Sequence, residues 1–559
     1  MSQQATISQG GGAGGIHPGR LFAASCVALI STAVVFIVAG AILGDLKKYF
    51  VFDNVQVGYI KGATIWGFTL SIFAFGPLVD LLGMKLLMRV AFIFHVIGIL
   101  MMVFAAQLGA IASPFWMLFF GAAIVALGNG TVEAVCNPMI ATIYPNNKTH
   151  KLNQFHMWFP GGQVIAGLLA FALGKAGLEG NPHLWQIQLG IVLVPAFIYF
   201  ILFTGQKFPK TERVQAGISF GGMVKATLLR PLFIILFICM AITASLELGT
   251  TSWIINVLQA GGINGILVLV WITGLMAILR GCAGPIIHKF SNTGLLLISA
   301  ILSGVGLEAL GYMKEIAGAT GMSEMVVAAV AATIFAFGVC FFWPTMLGTA
   351  AERVPKGGSL ALALLGGWGM LIVGFTATPW MGQIIDKRVH EILTTDGASA
   401  KTATILADAS ASYKALAEAQ PDTKAGQIYK NELLNTVDNN IKPVLDQWAK
   451  NKTLPEPGAA NALRATSGTG PDEKAGKEGS DPEKKAWAAK EAVGNLLNPA
   501  ENDGGLMSFR YVAPFAIILV VVFGAMYLVD KKKGGYQAEK IVKEGLAEGF
   551  GDGVPPDKR

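Results

Sequence analysis

The chain has 559 residues, of which 53% are hydrophobic and only 14% are charged, and its mean hydropathy is +0.56. About a quarter of the residues of a soluble domain are charged, so this composition excludes a soluble protein and predicts one embedded in lipid. The net charge of +7 comes from lysines and arginines in short segments between apolar runs rather than on one face or arm, which excludes nucleic-acid binding.

A helix that spans a bilayer needs about 20 apolar residues. Runs of that length lie at 21–44, 57–82, 86–107, 115–144, 154–175, 185–204, 231–258, 264–287, 293–313, 325–349, 358–385 and 509–530. The first run is too long for the apolar region of a signal peptide and lacks a small-residue cleavage site, so we interpret it as the first span. The sequence therefore predicts an all-α integral membrane protein with twelve transmembrane helices.

The loops between these spans differ in charge. The loops on one side carry most of the basic residues: Lys85, Arg89, Lys148, Lys151, Lys207, Lys210, Arg213, Lys225, Arg230, Lys289, Arg353, Lys356, Lys531, Lys532 and Lys533. Because basic loops stay in the cytoplasm, this pattern places both termini there. We expect a multi-pass protein of a bacterial inner membrane.

The spans divide the chain into regions. We predict a cytoplasmic tail at 1–20, a six-helix bundle at 21–205, a cytoplasmic loop at 206–230, helices seven to eleven at 231–386, an extracytoplasmic insertion at 387–507, the twelfth helix at 508–530 and a cytoplasmic tail at 531–559. The insertion is rich in Ala, Lys, Asp and Glu and is expected to be partly helical. It is either a tolerated loop or a domain that binds a protein partner or covers an entrance.

An internal repeat links the two halves of the chain. Three short strings recur at offsets of 208, 206 and 205 residues: Gly76-Pro77 with Gly284-Pro285, Pro138 with Pro344, and Gly161-Gly162 with Gly366-Gly367. Repeats of this kind indicate two related six-helix bundles, with a solute site at their interface near the bilayer midplane.

A charged string joins spans two and three: Gly76-x-x-x-Asp80-x-x-Gly83-x-Lys85, followed by Arg89. Gly76 permits a close approach of helices, and Asp80 can pair with a cation or cap a helix. The string resembles the signature loop of the major facilitator superfamily, except that Leu81 and Met84 stand where basic residues are common. The resemblance implies that family's fold, twelve helices in two pseudo-symmetric bundles. It also implies a loop that stabilises the outward-facing state, and we expect Asp80 and Arg89 to form its latch.

Span four carries the most specific polar pattern. Asn129, Glu133 and Asn137 recur every four residues and so form one stripe on a helix, and Pro138 frees a backbone carbonyl beside them. A carboxyl group in a low-dielectric cavity can take up and release a proton near neutral pH. We therefore predict Glu133 as the proton-coupling residue and the two asparagines as solute ligands. The alternative is a structural acid that holds helices together.

This span also resembles the fourth helix of the fucose–proton symporter family, which carries Glu-x-x-x-Asn-Pro, here Glu133-x-x-x-Asn137-Pro138, and then Arg-Leu-Asn, here Lys151-Leu152-Asn153. Phe342-Trp343-Pro344-Thr345 and Gly366-Gly367 resemble the tenth and eleventh spans of that family. The resemblance covers the twelve spans but not the insertion. It implies that Glu133 falls on the membrane carboxylate that handles the proton and the sugar.

The chain departs from that family in spans one and five. Gly40 stands where the family has an essential Asp, with Asp45 about a turn beyond, and Phe159 and His156 stand where it has an Asn and a Gln. The implied fold tolerates these changes, but they leave the identity of the solute and of the coupling ion open.

Further polar residues within the spans complete the predicted solute site. In span five they are His156 and Gln163, and in span seven they are Glu247, Thr250 and Trp253. A carboxylate beside an indole ring suits a sugar, since the carboxylate binds hydroxyls and the ring stacks on an apolar sugar face. A packing role is the alternative for His156. We expect Arg280 in span eight to form a charge pair and to act in gating.

The sequence contains no nucleotide-binding Gly-x-x-x-x-Gly-Lys-Ser/Thr string and no Ser-His-Asp or metal-ligand cluster. We therefore expect no enzymatic activity, cofactor or metal. We predict a secondary active transporter that moves a polar organic solute, with a sugar favoured, by alternating access and with H+ as the coupling ion. Two alternatives stay open: a carrier or exporter of another metabolite or drug, and a membrane scaffold or sensor that acts through its insertion.

Overall fold

The computed structural model describes residues 15–42, 46, 49–50, 52, 54–109, 113–173, 183–395 and 397–541. These residues form helices joined by short turns, without a β-strand among them. Asp45 and the outer parts of both predicted tails, 1–14 and 542–559, lie outside the described residues.

The first half of the chain contains the helices α1 (Pro18–Ala41), α2 (Asn54–Phe75), α3 (Val79–Leu82), α4 (Met84–Val103), α5 (Pro114–Ile143), α6 (Lys148–His156), α7 (Trp158–Leu173), α8 (Leu184–Ile191) and α9 (Leu193–Phe203). Pro18 and Pro114 occupy the first turns of α1 and α5, where the missing N–H group would have no helical partner. Backbone polar groups must be satisfied inside the segment in lipid, which is why the apolar runs become helices.

The second half begins with α10 (Glu212–Gln215) and α11 (Phe220–Leu228), which lie in the central loop. The helices that follow are α12 (Pro231–Ala244), α13 (Thr250–Ala260), α14 (Gly265–Gly281), α15 (Ala283–Gly311), α16 (Met313–Thr320), α17 (Glu324–Val339), α18 (Phe342–Arg353), α19 (Gly358–Ile372) and α20 (Thr378–Thr394). A π-helical turn at Ser245–Gly249 joins α12 to α13, and another at Val373–Ala377 joins α19 to α20. Such turns inside a helix often mark functional sites.

The segment after α20 folds as a helical domain before the last span. Its helices are α21 (Ala398–Glu418), α22 (Lys424–Asn435), α23 (Lys442–Asn451), α24 (Gly458–Thr469), α25 (Glu473–Glu478) and α26 (Asp481–Val512), and the last span is α27 (Phe515–Lys532). Both of its ends are helical: α20 passes the predicted boundary at 387, and α26 passes the one at 507. The domain therefore continues the helix α20 at its start, and at its end the helix α26 is separated from the last span by the turn at Ala513 and Pro514.

Nine helical segments of the described residues are long and apolar enough to cross a membrane: Pro18–Val38, Met84–Val103, Pro114–Ile143, Leu184–Phe203, Pro231–Ala260, Ala283–Gly311, Glu324–Arg353, Pro355–Thr394 and Asp481–Lys532. The other three predicted spans fall on α2, α7 and α14. The all-α membrane fold is thus confirmed, while the count of twelve spans stays a prediction.

The boundary between spans eight and nine differs from the predicted one. The predicted span runs to residue 287, but α14 ends at Gly281 and the next helix begins at Ala283. Ser291 has a φ of 59° and breaks α15 near the predicted loop. Hydropathy cannot detect the break at residue 282 because the residues on both sides of it are largely apolar, whereas Ser291 lies in the polar segment predicted as the loop.

The two halves of the chain pack together at one end of the helices, which we call the sealed end. It contains the contacts of Thr149 with Gly348 and of Phe73 with Gly367, where a Cβ on either glycine would be too close to the opposite side chain. Small residues let helices approach closely in a membrane, where close packing is a main source of attraction. The sealed end therefore depends on glycine at these crossings.

The helical domain of 387–507 lies at the opposite end and has its own apolar core. It is bonded to the second half of the chain. Asn502 donates to the carbonyl of Val257 in span seven at 2.7 Å, and inside the domain Arg388 pairs with Asp503 at 2.6 Å. Trp253 packs against this core and against the core of the membrane helices. The contacts of Val257 and Trp253 attach the domain to span seven.

Candidate functional site

Three side chains from spans four and five meet inside the first half. Glu133 and Asn137 are one helical turn apart on α5, and Nδ2 of Asn137 donates to Oε2 of Glu133 at 2.7 Å. Oδ1 of Asn137 lies 3.0 Å from Nε2 of His156 on α6. Since an amide oxygen only accepts, we assign the proton of His156 to Nε2. All three side chains are at most 7% exposed.

Arg280 on α14 connects this group to the second half of the chain. Its Nη1 donates to the carbonyl oxygen of His156 at 3.2 Å, and its Nη2 donates to Oε1 of Glu247 at 2.9 Å. Its Nε donates to the carbonyl oxygen of Cys340 at 2.5 Å. The expected charge pair of Arg280 is therefore the one with Glu247. We call Glu133, Asn137, His156, Glu247 and Arg280 the polar cluster.

The polar cluster holds two buried carboxyl groups and one arginine. Arg280 bonds directly to Glu247, whereas Glu133 experiences its charge without a direct bond. An ionised carboxylate in an apolar interior is costly unless it is paired, so the neutral acid is an accessible state of Glu133. The cluster can therefore hold or release one proton at Glu133 while the Arg280–Glu247 pair stays intact.

Two polar atoms beside the cluster are buried without a hydrogen-bond partner among the described residues. They are Oε2 of Glu247 and the hydroxyl oxygen of Thr250, both near the π-helical turn of span seven. Buried polar atoms are normally satisfied, so unsatisfied ones in a membrane interior indicate water or a polar ligand. They leave unused hydrogen-bonding capacity next to the Arg280–Glu247 pair.

The other predicted solute ligands lie elsewhere. Asn129 does not join Glu133 and Asn137, because its Oδ1 lies 2.9 Å from Nε2 of His95 in α4. Nδ1 of His95 in turn lies 2.9 Å from the hydroxyl of Tyr199. The prediction of one polar stripe is therefore wrong for Asn129. With 3.6 residues per turn, side chains four residues apart point in slightly different directions, and Asn129 bonds to the neighbouring helix α4 instead.

Two further predicted ligands are also outside the polar cluster. Gln163 is half-buried in α7 and makes no hydrogen bond within the described part of the chain. Nε1 of Trp253 donates to the carbonyl oxygen of Thr378 at 3.2 Å. The indole of Trp253 thus joins span seven to span eleven next to the helical domain.

The predicted latch has a different partner. Oδ2 of Asp80 accepts from Nε of Arg213 at 2.9 Å and from its Nη2 at 2.5 Å, and Oδ1 accepts from Thr211 at 2.7 Å. The prediction that Asp80 and Arg89 together form the latch is therefore wrong. Arg213 lies in the central loop, 133 residues after Asp80. The loop between spans two and three, which contains Asp80, therefore does not reveal its partner.

The two glycines of the signature loop have identifiable roles. Gly83 has a φ of 83°, a conformation that side chains other than glycine rarely adopt, and it separates α3 from α4. A Cβ on Gly76 would collide with the Cβ of Ala363 in α19. Gly76 therefore permits the approach of the two halves at the sealed end.

A hydrogen-bond network at the sealed end centres on Glu352. Oε1 of Glu352 accepts from the backbone N–H of Thr149 at 3.1 Å and from its hydroxyl at 2.7 Å. Nδ2 of Asn292 lies within hydrogen-bond distance of Oε2 of Glu352, the Thr149 hydroxyl and the Tyr536 hydroxyl, at 2.9, 2.8 and 2.9 Å. Tyr536 belongs to the segment after α27, so that segment also takes part in the seal.

Within the part of the chain that the structure describes, no group of three or more His, Cys, Asp or Glu side chains lies close enough together to hold a metal ion. The five cysteines of that part are free thiols.

Comparison with known proteins decides the family. Residues 21–378 match the family model of the Major Facilitator Superfamily. This chain belongs to that superfamily. It is thus an integral, multi-pass membrane transport protein, with the fold that the signature loop implied.

Individual relatives are more distant. A D-xylose transporter of Levilactobacillus brevis is 26% identical over 167 residues, which cover 30% of this chain and 34% of that protein. The chain thus matches about a third of the length of its curated relatives. A structure of the E. coli fucose:proton symporter superimposes with a TM-score of 0.53 and 16% identity, over 66% of this chain and 92% of that one. A bacterial homologue of the human lysosomal transporter Spinster superimposes with a TM-score of 0.51 over 91% of this chain and 97% of that one.

Proposed function

We propose that this protein is a secondary active transporter that moves a neutral sugar across the membrane by alternating access, with H+ as the coupling ion. The observation that carries the proposal is the polar cluster, which joins the two halves of the chain inside the membrane through Arg280. A solute held there contacts both halves and can influence their relative movement. Sugar transport by the D-xylose relative supports the choice of solute class.

The bonding of Arg280 argues for a neutral solute. Its charge is already paired with Glu247, and its Nε, Nη1 and Nη2 atoms each donate to a protein oxygen, so an anionic solute would compete with Glu247 for that charge. The remaining capacity, on Glu247 and Thr250, consists of an acceptor and a hydroxyl. Those groups match the hydroxyls of a sugar or another polyol.

Glu133 is the proposed site of the proton. When ionised, it accepts a hydrogen bond from Asn137 and is attracted by the charge of Arg280. When protonated, it loses the charge attraction, and Asn137 and His156 can rearrange around a neutral acid. Protonation thus changes the interactions that hold the two halves together, which is what coupling requires.

The sealed end is assigned to the cytoplasmic side, because the basic loops lie there. In this arrangement the Asp80–Arg213 pair and the Glu352 network close the cytoplasmic entrance. Transport then requires these bonds to break as the two halves rock apart.

The test is uptake of labelled monosaccharides into proteoliposomes, with and without an inward proton gradient. The wild type is compared with Glu133→Gln and with the matched control Glu308→Gln, which alters a half-buried carboxyl group on α15. We expect gradient-driven uptake by the wild type and the control, and its loss in Glu133→Gln with sugar exchange retained. Absence of uptake by folded wild-type protein across the panel would exclude a monosaccharide carrier, and unchanged driven uptake in Glu133→Gln would exclude its coupling role.

A further inference from the structure

Arg89 is an exception among the arginines of this chain. Of the nine that the structure describes, eight donate to a carboxylate or a carbonyl oxygen: Arg20, Arg213, Arg230, Arg280, Arg353, Arg388, Arg464 and Arg510. Arg89 makes no hydrogen bond or ion pair with any described residue and is exposed. Its role is therefore not explained by bonds within the protein.

The surroundings of Arg89 form a crevice at the sealed end of the first half. Lys85, one helical turn earlier on α4, lines the same crevice and is also exposed and unpaired within the described residues. The opposite wall comes from the end of α9 and the chain beyond it, and it is mainly aromatic: Tyr199, Phe200, Phe203 and Phe208, with Thr204. Two cations thus stand beside an apolar wall.

The outer surface around this crevice is apolar. Leu86 on α4 is 49% exposed, and Phe197 and Ile201 on α9 are 46% and 62% exposed. Side chains of this kind contact acyl chains in a membrane protein. A ligand that presents an anion to Lys85 and Arg89 and apolar chains to α9 would satisfy both parts of the surface.

We propose that this crevice binds the phosphate headgroup of an anionic phospholipid. The proposal goes beyond the transport function and does not depend on the identity of the solute. A guanidinium and an ammonium one turn apart bind phosphate oxygens together, and basic pockets beside membrane helices favour anionic over zwitterionic lipids. The aromatic wall accommodates the start of the acyl chains.

The crevice is also connected to span four. Tyr199 lines it, and the hydroxyl of Tyr199 bonds to His95, which bonds to Asn129. Asn129 lies one helical turn before Glu133. A lipid in the crevice therefore lies next to a hydrogen-bond chain that ends on Asn129 of the helix that also carries Glu133, and we expect transport to depend on the lipid.

The test is native mass spectrometry of the full-length protein with dioleoyl phosphatidylglycerol, dioleoyl phosphatidylcholine or glycerol phosphate. Each cation near a membrane surface contributes about a fivefold preference for anionic lipid, so Lys85→Gln/Arg89→Gln should weaken phosphatidylglycerol binding about 30-fold. The matched control Lys356→Gln removes an exposed cation from the sealed end of the second half and should leave binding unchanged.

Three outcomes would overturn the proposal. The double variant could bind phosphatidylglycerol as tightly as the wild type does, or the wild type could bind phosphatidylcholine as tightly as phosphatidylglycerol. The wild type could also bind glycerol phosphate as tightly as phosphatidylglycerol, which would indicate a site for a soluble phosphate. If the double variant fails to fold, the single variant Arg89→Gln takes its place. It changes one exposed side chain and should weaken phosphatidylglycerol binding about fivefold. Sugar uptake is a second readout. Including phosphatidylglycerol in the phosphatidylcholine vesicles should raise uptake by the wild type and should leave uptake by the double variant unchanged.

Discussion

The sealed end and the polar cluster both join the two halves of the transporter, but they differ in how their polar atoms are satisfied. At the sealed end, both carboxylate oxygens of Glu352 have hydrogen-bond donors. In the polar cluster, Glu247 leaves one oxygen without a partner, and Glu133 bonds to Asn137 without a direct bond to Arg280.

We infer from this difference that the sealed end acts as a closure and the polar cluster as a binding site. A fully bonded network stabilises one arrangement of the helices and gains nothing from a further ligand. A partly bonded one gains when a solute or a proton completes it, since buried polar atoms without partners are costly. Variants of both regions should differ in how much stability or closure they lose.

Arg280→Gln should produce the largest loss of stability. It leaves Glu247 as an uncompensated buried carboxylate, and breaking such a pair costs roughly 3–5 kcal/mol. Replacing both partners, in Arg280→Gln/Glu247→Gln, removes the buried charge and should recover most of that loss. Thermal unfolding of the purified proteins measures both effects. A single variant as stable as the wild type would show that Glu247 is already neutral or solvated.

Gly76→Ala should weaken the sealed end by about 1–3 kcal/mol, because the added Cβ collides with Ala363. The two halves should separate there. Spin labels at Asn146 and Lys356, one on each half, report the distance on a cysteine-free background. The matched variant Gly76→Ala/Ala363→Gly relieves part of the collision and should shift the distance back. Identical distances in all three proteins would contradict the role of this contact.

Tyr536→Phe should have the smallest effect, about 1 kcal/mol, since it removes one hydroxyl from the sealed end. Burial raises the pKa of Tyr536 well above its ordinary value, and the charge of Glu352 raises it further. The neutral hydroxyl is therefore the form that favours closure. Its contribution is complete below the ordinary pKa of a tyrosine and is lost as the pH rises through the elevated one.

The same pair of spin labels tests this dependence as the pH is raised from about 8 to above the ordinary tyrosine pKa of about 10. The wild type should open at alkaline pH, and Tyr536→Phe should lose that part of the change. Equal alkaline opening in both proteins would assign it to another group.

The sequence predicted the membrane helices well because lipid imposes one requirement on all of them, namely apolar length with internal hydrogen bonding. It also identified Glu133 and Asn137, since a spacing of four residues brings two side chains together on any helix. Both predictions rest on rules that act within one segment.

The failed predictions concern partners that lie far apart in the chain. Asp80 pairs with Arg213 rather than Arg89, and Asn129 bonds to His95 on another span. A bond for which no prediction was made, between Asn292 and Tyr536, joins residues 244 apart in the chain. Each of these bonds depends on how helices are arranged in space, and hydropathy and spacing contain no information on that arrangement.

The central claim is that one site binds sugar and takes up a proton at Glu133. The most direct test is proton uptake by the purified protein in weakly buffered solution when a transported monosaccharide is added. We expect sugar binding to change the number of bound protons in the wild type and to leave it unchanged in Glu133→Gln, with the sugar still bound. Sugar binding without any proton change in the wild type, or with the same change in Glu133→Gln, would contradict it.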